Sequence, residues 1–201
     1  LRGFDTTLSD INTEIVKAAL NRIHESIRKG VQLGKTDPAA ADSAIARLKT
    51  TAQLSDLAPA DLVIEAAPEK LDLKRDLFRQ LDTLLAPSAL LASNTSSLSI
   101  TAIAGATNRP DQVLGLHFSN PPILMALVEV VRGDGTSDET INSGTEFARA
   151  LGKTPVVCKD TPAFIVNRVA RPFYGESLRL LGENAADVPT IDKLIKSLGF
   201  R

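Results

Sequence analysis

The chain has 201 residues, 43% of them hydrophobic and 23% charged, with a net charge of -1. Such a balance suits a globular protein with a sizeable core and gives no electrostatic reason to expect nucleic acid or an anionic membrane as a partner. No apolar run reaches the roughly 20 residues of a membrane span, and the single cysteine, Cys158, rules out an internal disulfide and points to a reducing, cytoplasmic compartment.

Taken in order, "LRGF" reads as the tail of a helix capped by Gly3. "DTTLSD" reads as a short strand ending at Asp10. Ile15, Val16, Ala19, Leu20, Ile23 and Ile27 then repeat at helical spacing. A helix over 38–48 has Asp37 as its N-cap and Pro38 at its first position. "ADLVIEAA" is a buried strand, 69–85 a helix, "ALLAS" a strand ending at Ser93, and "SLSITAIAG" a short helix. "QVLGLHF" and "ALVEVVRG" are two further strands. "SDETINSGTEFARALGK" is a helix capped by Ser137, with Asp138 and Glu139 where the helix dipole favours negative charge. "TPVVCKD" is the last strand. A long helix should begin near Pro162 and be disturbed near Pro172, and "VPTIDKLIKSLGF" is a final helix.

Short aliphatic strands alternating with helices indicate an α/β fold, a doubly wound parallel sheet with helices on both faces. After Asp160 the pattern is purely helical. The expected organisation is therefore a sheet domain over 1–160 and the start of a helical domain over 161–201.

In such a sheet ligands bind outside the carboxyl ends of the strands. There the sequence collects Asp10, Glu69, Asn94, Thr95, Ser96, Ser97, His117 and Asn120. Asp10 reads either as a turn residue or as the acidic acceptor for the ribose hydroxyls of a dinucleotide, which would favour NAD over its 2′-phosphate. The glycine-rich loop of that pattern would lie about 20 residues upstream, before Leu1. Thr95 and Ser97 read as helix caps, whereas Asn94 and Ser96 serve equally well as ligand contacts. His117 alone reads as a core histidine. Glu129, flanked by valines in "LVEVV", changes that, because a buried carboxylate requires a partner. An adjacent strand carrying His117 could provide it, fixing the imidazole tautomer and leaving the other nitrogen as a base. His24, on a charged helix, is expected to be solvated, Cys158 to be a small strand hydrophobe, and no cluster suggests a metal.

Six stretches carry a family resemblance: "EAAPEKLDLKRDLF", "ASNTSSLSI", "GLHFSNPP", "LVEVV", "ALGKTPVVCKDTPAFIVNR" and "RPFYGESLRLL". In unbroken order they resemble the short-chain L-3-hydroxyacyl-CoA dehydrogenase family, with later segments similar to bacterial 3-hydroxybutyryl-CoA and phenylacetate-pathway members. The resemblance implies a Rossmann-like domain followed by a helical one, with NAD as cofactor and an acyl-CoA substrate. It implies oxidation of a (3S)-3-hydroxyacyl-CoA in fatty-acid or aromatic-acid degradation or butanoate metabolism, by a cytoplasmic homodimer. It makes His117 the general base and Glu129 its orienting acid, with Ser96 and Asn167 holding the substrate oxygen. Cofactor contacts fall on Asp10, Glu69, Lys74, Asn94, Ser96 and Asn120, and Ser26 matches a position that touches CoA. The first strand with its glycine-rich loop and most of the helical domain are expected outside the 201 residues, so the piece alone is expected to be inactive. Two other readings stand beside this one. One is a non-catalytic structural relative, as λ-crystallin is similar to this family. The other is a different β-hydroxyacid dehydrogenase, for which no lysine-base motif is seen.

Overall fold

Polar residues set the helix starts. Asn12, Asp37, Ser137 and Asp187 each turn a side-chain oxygen onto N–H groups in the first turn of the helix that follows, satisfying donors that the helix itself cannot. The computed structural model describes residues 1–200. A first unit comprises β1 (Thr6–Ser9), α1 (Thr13–Gln32), α2 (Pro38–Ala46) and β2 (Leu48–Thr51). Then follow β3 (Leu62–Glu65), α3 (Leu71–Leu84), β4 (Leu90–Ser93), α4 (Ile100–Ala104), β5 (Val113–Phe118), β6 (Leu127–Arg132), α5 (Asp138–Ala150) and β7 (Thr154–Lys159). Two helices, α6 (Val166–Gly182) and α7 (Val188–Ser197), close the described chain. Arg201, the last residue of the expected helical segment, lies outside the described residues.

The strands form a two-stranded parallel sheet, β1–β2, and a five-stranded sheet in the order β3-β4-β5-β6-β7. Its alternate residues fill two cores. Leu91, Val113 and Val131 face Phe78, Leu81, Ile100 and Ile103 of α3 and α4. Ala92, Leu114, Leu116, Val128 and Val130 face Ile141 and Ala148 of α5. Both faces are thus covered, as the aliphatic strands require. α5 sits close because Gly144 has no side chain: a Cβ there would run into Leu114 Cδ1. The first unit meets this body through Phe4, packed edge-on against Phe147 with ring centroids 5.3 Å apart.

Four expectations are corrected. Leu1 and Arg2 are not helical, and Gly3 takes a φ of +91°. β2, "LKTT", was not foreseen, because four residues without an apolar pattern carry no strand signal. The sheet is not wholly parallel: β6 runs antiparallel to β5. Only the loop 119–126 joins them, too short for the crossover that a parallel pair needs. Finally, α6 begins at Val166 and not near Pro162, because Ala163 and Phe164 take left-handed φ values of 64° and 49°. It also runs through Pro172 as one helix.

Candidate active site

The antiparallel β5–β6 ladder makes His117 and Glu129 direct partners, the arrangement in which side chains on one face of a sheet meet. His117 Nδ1 lies 2.6 Å from Glu129 Oε2, and both residues are buried, Glu129 at 1% exposure. A carboxylate can only accept, so in the neutral imidazole Nδ1 carries the proton and Nε2 has the lone pair. Phe164 packs beside the imidazole at 5.8 Å between centroids.

The other oxygen of Glu129 is also in use. Oε1 accepts the backbone N–H groups of Ile165 and Val166, at 2.8 and 2.9 Å. Ile165, at the N-cap of α6, makes no side-chain cap. The buried carboxylate of β6 does so instead, with its charge at the positive end of the helix dipole. In the first turn of α6, Asn167 Nδ2 reaches the carbonyl of Ser96 at 3.3 Å. The helix start is thereby tied both to the histidine–glutamate pair and to the end of β4. Asp160, at the end of β7, ties the same region from the other side. It accepts the Ser99 hydroxyl at 2.7 Å and the Thr101 N–H at 2.8 Å. Burial raises its pKa, but these hydrogen bonds outweigh that and hold the carboxyl below its ordinary value.

Around Ser96 a second group of charges is assembled. Glu69 Oε1 accepts the Thr95 hydroxyl and, at 3.0 Å, the Ser96 N–H. Burial raises the pKa of Glu69, while those two donors and Lys74 together bring it below the ordinary value. Lys74 lies beneath, 1% exposed. Its Nζ is 2.6 Å from Glu65 Oε1, 3.0 Å from the Ala67 carbonyl and 3.4 Å from Glu69 Oε2. Two of its three protons have hydrogen-bond acceptors here, and Glu69 completes the surroundings as an ion pair. Lys74, expected as a cofactor contact, is thus buried beside Glu69 and bound to protein groups. Asn94 likewise has a structural partner, its Oδ1 accepting the Phe118 N–H at 2.9 Å. Thr95 caps the turn before α4 through Ser97 and Leu98, while Ser99 caps the helix itself.

The other expected residues are less constrained. Asp10 is exposed just beyond β1, its Oδ1 accepting only the Ile11 N–H at 2.7 Å. Ser26 is exposed on α1, and Asn120 is exposed two residues beyond β5. His24 departs from expectation: it is half-buried, and its Nε2 is shielded without a hydrogen-bond partner. Sequence reasoning passed over Glu65, Ser93 and Asp160. The signal for Glu65 was present, a carboxylate in the aliphatic run "LVIEAA", as it was for Glu129 in "LVEVV". Burial pushes the Cys158 thiol up to about 11, with Glu129 and Asp160 adding to the effect. Among the described residues no group of three or more His, Cys, Asp or Glu side chains is placed to hold a metal. No helix is long and apolar enough to cross a membrane.

The residues fit a dinucleotide. Exposed carboxylates at Asp10 and Glu69, the Ser96 hydroxyl and the Asn120 amide all stand at carboxyl ends of strands, outside the buried pair. A model of the NAD binding domain of 3-hydroxyacyl-CoA dehydrogenase matches residues 1–161, and a model of that enzyme's C-terminal domain matches residues 164–201. The 3-hydroxybutyryl-CoA dehydrogenase of Bradyrhizobium diazoefficiens is 41% identical over 98% of this chain and 67% of that protein. The 3-hydroxyadipyl-CoA dehydrogenase of Escherichia coli is 44% identical over 96% of this chain, which spans 41% of that protein. The crystal structure of (S)-3-hydroxybutyryl-CoA dehydrogenase from Ralstonia eutropha superposes with a TM-score of 0.94 at 38% identity, over 97% of this chain and 69% of that one. The fold and the family matches are those of a dehydrogenase that uses NAD. The chain belongs to the 3-hydroxyacyl-CoA dehydrogenase family.

Proposed function

We propose that the whole protein oxidises a (3S)-3-hydroxyacyl-CoA to the 3-oxoacyl-CoA with His117 as the general base. The observation that carries this reading is the buried His117 Nδ1–Glu129 Oε2 contact of 2.6 Å. Glu129 holds the proton on Nδ1, so Nε2 is the atom that accepts the substrate hydroxyl proton as the 3-oxo group forms. The carboxylate then stabilises the imidazolium. In the reverse direction the protonated imidazole acts as general acid toward the ketone. Ser96 and Asn167, tied to each other at 3.3 Å, hold the substrate oxygen in line. Bound at the strand ends, NAD supplies the hydride acceptor. Asp10, Glu69 and Asn120 are the residues that would hold it, with Ser96 beside the reacting end and Ser26 toward the CoA.

The relatives' names support a short acyl group, 3-hydroxybutyryl or 3-hydroxyadipyl, and degradative acyl-CoA metabolism as the setting. We further infer a division into a cofactor domain and a helical domain near residue 160. We infer a homodimer through the helical segment, supported by the exposed Val169, Leu178 and Leu194 on α6 and α7. A non-catalytic relative would have no need of a buried imidazole–carboxylate pair.

The test is His117→Gln in the full-length protein, assayed by reduction of acetoacetyl-CoA with NADH. Turnover should fall by about 10²–10⁴-fold, the usual contribution of a general base. Turnover close to wild type would overturn the mechanism.

A further inference from the structure

The stretch "RPFYGES" lies on α6 just beyond the residue assigned to the substrate oxygen, and the mechanism does not use it. Asn167, Arg171 and Tyr174 follow one another at steps of four and three residues, which sets them on one face of a helix. That face is the one Asn167 turns toward Ser96. Helical side chains lean toward the N-terminus of their helix, so Arg171 leans back over the turn that carries Asn167. Four residues of helix rise only about 6 Å. Both Arg171 and Tyr174 are exposed. Farther along the helix, Arg179 pairs with Glu176 at 3.5 Å. Arg171 has no such partner among the described residues, and the first turn of α6 holds no acidic side chain. The charged side chains between Asn167 and Tyr174 are Arg168 and Arg171, both positive. A guanidinium grips a carboxylate with two parallel hydrogen bonds. Beside a purely apolar acyl end it would lose water and gain nothing in exchange.

We propose that Arg171, with Tyr174 on the same face, receives a carboxylate at the far end of the acyl group. The substrate class is then a 3-hydroxyacyl-CoA whose acyl chain is a dicarboxylic one. Of the two acyl groups named above, 3-hydroxybutyryl ends in a methyl group. The 3-hydroxyadipyl group ends in a carboxylate, a short alkyl chain beyond the carbon that bears the hydroxyl. Asn167 takes the hydroxyl, and Arg171, one turn along the same face, takes the carboxylate. This rests on the dehydrogenase reading above.

The experiment uses the full-length protein and follows NADH formation from (3S)-3-hydroxyadipyl-CoA and (3S)-3-hydroxybutyryl-CoA. Wild type should favour the hydroxyadipyl substrate in kcat/KM by about 10–100-fold, the worth of a hydrogen-bonded charge. Arg171→Leu should abolish that preference, mainly through a higher KM for the hydroxyadipyl substrate. Arg171→Lys should restore part of it, because an ammonium keeps the charge without the fork. Tyr174→Phe should lower the ratio about threefold. A wild type that favours hydroxybutyryl-CoA, or an Arg171→Leu variant that shifts both substrates equally, overturns the proposal. Should Arg171→Leu fail to fold, salt decides on the wild type. Added KCl should raise KM for hydroxyadipyl-CoA more steeply than KM for hydroxybutyryl-CoA, since it screens the exposed pair; equal salt dependence overturns the proposal. Oxidation of hydroxybutyryl-CoA with no preference for the hydroxyadipyl substrate removes only the role of Arg171. Oxidation of neither substrate removes the dehydrogenase reading itself.

Discussion

The five-stranded sheet and the two-stranded unit before it treat their polar residues differently. In the larger sheet, His117, Glu129, Glu69 and the Ser96 backbone are each fixed by hydrogen bonds from other elements, most of them to buried atoms. In the smaller unit, Asp10 has one bond to its own neighbour, and Ser26 is exposed on a helix surface. Groups assigned to proton transfer are rigid before substrate arrives. Groups assigned to the outer parts of the cofactor and substrate keep their freedom until binding. Reaction geometry is sensitive to displacements of an ångström or less, whereas a ribose or CoA contact tolerates adjustment.

Four substitutions or measurements would break or sharpen that contrast. Glu129→Gln should have the largest effect. One amide cannot accept from the Ile165 and Val166 N–H groups and also accept from His117 Nδ1. With its oxygen on the helix it donates to the imidazole and reverses the tautomer. Turnover should fall by about 10²–10⁴-fold, measured as acetoacetyl-CoA reduction, with a smaller loss of stability in denaturant. Next is Asp82→Asn. Asp82 joins α3 to the segment before β5 through Arg109 Nε at 2.7 Å and the Asn108 N–H at 2.8 Å. The variant should lose about 1.5–3 kcal/mol of unfolding free energy. Burial raises the pKa of Asp82, but the hydrogen bonds from Asn108 and Arg109 hold it below the ordinary 3.8. Its stabilisation is therefore full above that ordinary value and is lost as pH falls through the lower, folded one. The variant should show a flatter acid limb in a stability–pH profile.

Asp10→Ala is the counterpart in the open unit. KM for NADH should rise about three- to tenfold with no change in melting temperature. A loss of stability would show that Asp10 is as built-in as Glu129, and the contrast would fail. The smallest effect concerns Cys158. With its thiol pushed up to about 11, it should alkylate slowly with iodoacetamide at pH 8 in the native protein and rapidly once unfolded. Fast native labelling would mean that the β7 edge opens.

The sheet's elements were legible because aliphatic runs and polar caps act locally: Ser137 caps α5 and Asp37 caps α2, as their positions suggested. The histidine–glutamate contact was legible because a carboxylate between valines needs a partner. The direction of β6 was not, since both its face pattern and its length suit either orientation, and the connection alone decides. Glu65, Ser93 and Thr95 converge from β3, β4 and the turn beyond, and no spacing in sequence reports that meeting. Asn167 came from the motif alone; that it touches Ser96 depends on the left-handed turn at Ala163 and Phe164, which residue types there do not announce.

That turn ends on the two N–H groups held by Glu129 Oε1. A single carboxylate thus serves as the bearing for the helical segment and as the setting screw for the imidazole. Any substitution in α6 that tilts its first turn pulls on Oε1, rotates the carboxylate, and moves Oε2 away from Nδ1. Changes made in the helical segment to suit a new acyl group would therefore carry over into proton transfer. The seat of α6 and the geometry of the imidazole–carboxylate pair are mechanically linked.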